Sequence, residues 1–197
     1  MKKTGAWKSS LTGEAMLFLA AIIWGTGFVA QRKAMEGMQP FAFIAVRFAL
    51  GCLVLVPALI SKKRGATSKN SKRTDWKTFF HDLVLPSAFT GLFLFAGTSA
   101  QQIGITTTSA SKAGFLTSLY LVLVPIFGLF LGKKVNLWAW IGVVLALVGV
   151  WFLSVNLEMT VQMGDVMLLI GALFWAMQIL ALDRFTARID ALELAFG

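Results

Sequence analysis

One cysteine, one histidine and nine acids among 197 residues leave little material for side-chain chemistry. The lone Cys52 excludes an intramolecular disulfide and a cysteine metal cluster. It lies inside an apolar block, where a thiol is a small packing residue. His81 neighbours Asp82, and one histidine beside one acid cannot supply the three or four ligands of a zinc site. We read it as interfacial. No cofactor is expected. Glu14 and Asp165 stand at the starts of apolar blocks rather than in their middles. No intramembrane carboxylate therefore marks a coupling proton, and the coupling ion is not legible.

Apolar residues, in contrast, make up 57% of the chain, and the mean hydropathy is +0.77. Soluble domains are about 45–50% apolar. The excess is gathered into six blocks, at 15–31, 41–60, 83–100, 113–131, 137–155 and 166–182. A bilayer-spanning helix needs about 20 such residues, with a range of about 17–25. The expected fold is therefore all-α, a polytopic membrane protein with about six transmembrane helices. The first block follows Lys2, Lys3 and Lys8 in the manner of a signal peptide. No small-x-small cleavage site closes it, and five more blocks follow.

The net charge is +9 and the isoelectric point about 10.1. Such a balance fits a nucleic-acid binder, but the basic residues lie between apolar blocks, so no nucleic-acid partner is expected. Lys2, Lys3 and Lys8, the loop at 61–82, Lys133, Lys134, Arg184 and Arg188 all fall on one side of the predicted topology. Arg32, Lys33 and Lys112 fall on the other, and Arg47 lies within the second block. Basic loops stay cytoplasmic, which places the N-terminus inside. The 61–82 loop, rich in lysine and serine, reads as a cytoplasmic linker near anionic headgroups.

The segments "GEAMLFLAAIIWGTGFVA" (13–30) and "GDVMLLIGALFWAMQILA" (164–181) align without a gap at an offset of 151. Trp24 matches Trp175, and the acid-x-Met-Leu register is kept. Shared apolar composition explains the leucines and alanines; it explains the matched tryptophans less easily. The offset spans five helices, an odd number, so the second copy is inverted in the membrane. Inverted repeats are a construction of secondary transporters, with the binding site near the midplane at the repeat interface.

The order "AAIIWGTGFVA", "AVRFALGCLVLVP", "QQIGITTTSASKAGFLTSLYLVLVPIFGLFLGKK" and "WIGVVLALVGVWFL", then the repeated "GDVMLLIGALFWA", resembles the EamA-type transporters of the drug/metabolite transporter superfamily. The resemblance covers essentially the whole chain. It implies a ten-helix inverted-repeat transporter fold, with a first five-helix repeat at 1–160 and the start of a second at 161–197. It also implies small-metabolite or drug transport, usually outward, across the bacterial cytoplasmic (inner) membrane. The partners are then the lipid bilayer and a small-molecule substrate. On this reading the chain stops where a seventh helix would begin and is a fragment; if it is complete, a homodimer would rebuild the cavity. Two other readings stay open: an inactive or non-catalytic membrane subunit, and a membrane enzyme acting on lipid. The enzyme reading needs clustered acids, histidines or serine nucleophiles, and Arg47 has no such neighbour in its own block. The family often places an acid after the helix-four "LG"; here Lys133 and Lys134 stand there, which weakens a pairing argument at that end.

Eight residues are candidates for the cavity. Arg47 is a charge inside a span, which faces a cavity or partner or else snorkels to the headgroups. Lys112 opens a helix at its positive pole, where an anion is favoured. We expect it either to attract anionic substrates or to be an interfacial lysine. Gln31, Gln101 and Ser111 gather at the same depth. Trp24 with Gln31, and Trp175 with Gln178, occupy equivalent stripes of the repeat, and equivalent faces of an inverted repeat meet at the central cavity. Packing or lipid contact is the bland alternative for the tryptophans. Small residues on the fourth helix read first as close packing, and Pro125 predicts a kink.

Overall fold

The computed structural model describes the backbone of residues 4–65, 80–154 and 162–196, and side chains within 13–61, 80–152 and 162–196 apart from Val150. Most of the basic 61–82 loop, Trp76, the Trp7 side chain and the 160/161 repeat boundary lie outside the described residues. The described backbone is helical throughout, apart from short connections. In chain order it forms α1 (Thr4–Ala34), α2 (Pro40–Gly65), a π-helical turn (Phe80–Val84), α3 (Leu85–Gly104), α4 (Ala110–Ser118), α5 (Tyr120–Phe130), α6 (Leu137–Ser154), α7 (Met163–Phe185) and α8 (Ala191–Phe196). Hydrocarbon offers no partner for a free backbone N–H or C=O, so a spanning segment closes these bonds within itself.

Five described segments are long and apolar enough to cross a membrane: Gly13–Ala34, Pro40–Ser61, Phe80–Gly104, Ala110–Phe130 and Met163–Phe185. The sixth expected span appears as a shorter apolar helix, Leu137–Gly149 within α6. The all-α, polytopic membrane architecture read from the sequence is the architecture found.

The fourth apolar block is one span in sequence and two helices in structure. Its start is built from the "TTTSAS" stretch: Ser109 is the N-cap, and its Oγ accepts from the Lys112 backbone N–H at 3.2 Å. The span breaks at Leu119, where Leu119 N–H bonds Leu116 C=O in a tighter, 3₁₀-like turn. The break lies on the N-terminal side of Pro125, which lacks the N–H that would continue the ladder. At the other end Gly132 adopts φ 74°, and the Gly132 and Lys133 N–H groups close back on Leu129 and Gly128. That is a Schellman stop, and the left-handed φ selects glycine.

The centre of the bundle is α3 against α7. Buried residues make up 39% of the most apolar stretch of the α7 span and 33% of that of α3, against 0% for α1 and 6% for α2. The two helices run antiparallel, because Gly104 meets Gly164 and Gly97 approaches Trp175 while Gly171 meets Gly97. A Cβ on Gly104 would sit 2.7 Å from the Gly164 carbonyl, and one on Gly164 would sit 2.6 Å from the Gly104 carbonyl. Only glycine permits this approach, which brings backbone against backbone as membrane helix pairs do. α4 and α5 also pack on α7, α1 on α4, α2 on α3, and α6 on α4. The outer helices carry many exposed large apolar residues, such as Leu17, Phe18, Leu53, Val54, Leu145 and Phe152, the surface a lipid phase wants.

Candidate functional site

A cavity of about 360 Å³ opens among α1, α2, α3, α4, α5 and α7. Its aromatic wall is Trp24, Phe28, Phe43, Tyr120 and Trp175, and its polar wall is Gln31, Arg47, Gln101, Thr117 and Ser118. Such sites span roughly 300–1,000 Å³ and combine an apolar lining with a few placed polar groups.

Trp24 and Trp175, equivalent in the sequence repeat, meet here with ring centroids 6.0 Å apart and planes inclined at 60°. Trp175 is oriented by its indole Nε1, which donates to Gln101 Oε1 at 3.0 Å. α3 and α7 lie close together here, where a Cβ on Gly97 would touch Trp175 at 3.4 Å.

Two polar atoms of the wall have no hydrogen-bond partner. They are Gln31 Oε1 and Thr117 Oγ1, on residues only 8% and 6% exposed. A buried polar atom left unmatched costs about 1–3 kcal/mol. Arg47 is the one charged residue in the wall, and no acid lines the cavity among the described residues. The described residues hold no cluster of metal-binding side chains.

Of the eight candidates, the structure brings Trp24, Gln31, Arg47, Gln101 and Trp175 into one cavity wall. Ser111 is exposed, Gln178 is buried, and neither lies in that wall. Lys112 points to a different structure. Its Nζ donates to Asp165 Oδ2 at 2.6 Å, Thr108 Oγ1 donates to Asp165 Oδ1 at 2.8 Å, and the Gln162 N–H donates to Oδ2 at 2.9 Å. Asp165 thus caps α7 and neutralises the cation at the mouth of α4 in one place. Nearby, Arg32 Nη1 donates to the Thr106 carbonyl at 3.1 Å. At the opposite end Lys133 pairs with Asp183. The lysines after "LG", which weaken a pairing argument from the sequence, thus include one that meets an acid at the end of α7.

Sequence reasoning passed over Phe43, Thr117, Tyr120 and Asp165. Phe43 lies one turn before Arg47, so helical spacing places it on the face of a residue already singled out. Asp165 was visible as half of the Glu14/Asp165 match, but its partner stands 53 residues away on another helix.

The sequence profile of the EamA-like transporter family matches residues 11–155. The chain belongs to that family, a family of membrane transporters. It is 34% identical to an uncharacterized transporter of Archaeoglobus fulgidus, over 91% of this chain and 52% of that protein. It is 27% identical to the uncharacterized transporter YcxC of Bacillus subtilis, over 91% of this chain and 57% of that protein. The chain spans about half the length of these curated relatives. No solved structure matches it.

Proposed function

We propose that the chain supplies one wall of the substrate pathway of an exporter of small organic molecules that works by alternating access. The observation that carries this reading is the Trp24–Trp175 contact inside a polar-and-aromatic cavity. It sits where two inverted copies would meet, and transporters built this way bind their substrates there. Trp24, Gln31, Arg47, Gln101 and Trp175 are the substrate-facing residues of this reading. Gln101 acts through Trp175 as well as directly. The Lys112–Asp165 and Lys133–Asp183 pairs tie the ends of the α4–α5 span to the ends of α7. On this account Lys112 closes one mouth of the pathway rather than standing free to collect substrate. The basic distribution along the sequence supports a cytoplasmic N-terminus and a bacterial inner membrane as its setting.

The reading is tested by reconstituting the chain in proteoliposomes and following efflux of a panel of small organic solutes. Saturable efflux of some of them that falls at least tenfold in Trp24→Ala, with the protein still folded, is the expected result. Leakage identical to that of empty liposomes for every solute would instead favour a non-transporting membrane subunit. Accumulation of a chemically altered solute without net flux would favour an enzyme.

A further inference from the structure

Arg47 has no hydrogen-bond or ion-pair partner among the described residues, yet it stands in the wall of the cavity. It is seven residues past Pro40, or roughly 10 Å along α2 at ~1.5 Å per residue. A guanidinium keeps its charge in proteins. A charge at that depth is costly unless it meets an opposite charge or water. Among the described residues the rest of the wall offers no acid: its other members are aromatic, aliphatic, amide, hydroxyl or glycine. The site is therefore a single positive charge, on an exposed side chain, beside an aromatic wall. Gln31 and Thr117 add an amide and a hydroxyl to the residues of the same wall.

Resting on the transport reading above, we propose that the substrate is a singly charged organic anion with a flat apolar body. Its carboxylate or equivalent group accepts from the Arg47 guanidinium, whose planar fork matches two oxygens at once. Its body lies against Trp24, Trp175, Phe28 and Phe43. Two features set this specificity. An amine-bearing cation of the same shape meets Arg47 as a like charge with no acid to receive it. A neutral amide of the same shape fits the aromatic wall but leaves the guanidinium without its counter-charge. Arg47 is then the specificity-determining residue, and the aromatic wall supplies affinity that does not depend on charge.

Three probes of one shape separate these contributions: naphthalene-2-carboxylate, naphthalene-2-carboxamide and naphthalen-2-ylmethylammonium. Each is titrated calorimetrically into the whole chain in lipid nanodiscs. The carboxylate should bind at least about tenfold more tightly than the amide, the difference one charge-assisted hydrogen bond makes, and the ammonium should bind weakest. Arg47→Gln should bind carboxylate and amide alike, and Arg47→Lys should keep part of the preference. The wild-type ranking stands as a test even if Arg47→Gln fails to fold. Equal binding of carboxylate and amide by the wild-type chain, or an anion preference that survives in folded Arg47→Gln, overturns the charge assignment and leaves the cavity intact. Binding of none of the three overturns both the assignment and the cavity reading beneath it.

Discussion

Removing the Lys112 ammonium should destabilise the chain far more than removing a surface lysine. Asp165 is 4% exposed as a residue, and its carboxylate is held by three donors, one of which carries the charge that offsets its own. Lys112→Met leaves that carboxylate with two neutral donors and no counter-ion. Breaking a buried pair from one side costs ~3–5 kcal/mol. The Lys112 side chain keeps 19% exposure, so water reaches one edge and the lower end, about 3 kcal/mol, is expected. For a chain of this length that is roughly 6–12 °C in Tm, at ~2–4 °C per kcal/mol. Asp165→Asn should cost less: the amide oxygen still accepts from Lys112 and Gln162, and the amide NH₂ can donate to the Thr108 hydroxyl. Combining Lys112→Met with Asp165→Asn should cost less than the two added together, since the double variant buries no unpaired charge. The assay is thermal unfolding of the four proteins in the same detergent and salt. Single variants within about 1 °C of wild type, or strict additivity in the double variant, would refute the claim that this pair fastens α4 to α7.

Gly164→Ala and Gly104→Ala should each lower stability by roughly 1–3 kcal/mol or more, because the added methyl meets the facing backbone carbonyl as well as a side chain, Thr107 or Leu168. Gly25→Ala and Gly142→Ala, where nothing lies within 4 Å, should be neutral or slightly stabilising in the same unfolding assay. Gly132→Ala forces a methyl-bearing residue to φ 74° and should cost about 1–2 kcal/mol, read as a drop of a few degrees in Tm. A double-mutant cycle on Trp24→Ala and Trp175→Ala should give a coupling of ~0.5–1.5 kcal/mol for the ring contact; a coupling of zero would mean that the rings do not meet.

The layout of the helices was legible because hydrocarbon imposes a length and a composition on every span. The meeting of Trp24 and Trp175 was legible for a different reason. The two tryptophans hold matching places in the segments 13–30 and 164–181, and their rings lie 6.0 Å apart. What escaped the sequence depends on which helix lies beside which. Lys112 is puzzling in its own helix and ordinary once Asp165 is seen beside it. Lys133 lacks an acid nearby in sequence and finds Asp183 on α7, 50 residues on. The break at Leu119 depends on how a proline-bearing helix relaxes against its neighbours, and periodicity alone treats the span as continuous. Gln178 follows Trp175 by three residues, but α7 is packed on several sides, so sharing a stripe did not bring it to the cavity.

The central claim is that the Trp24–Trp175 cavity is reached from each side of the membrane in turn. Cys52 is the only cysteine, so a Cys52→Ser background carrying Gln31→Cys holds a single thiol in the cavity wall. That thiol, in proteoliposomes of known orientation, can be challenged with a membrane-impermeant maleimide from outside, and from inside after loading the lumen. Labelling from both sides, slowed by naphthalene-2-carboxylate, is the predicted result. Labelling from one side alone would make the cavity a static pocket and contradict the account.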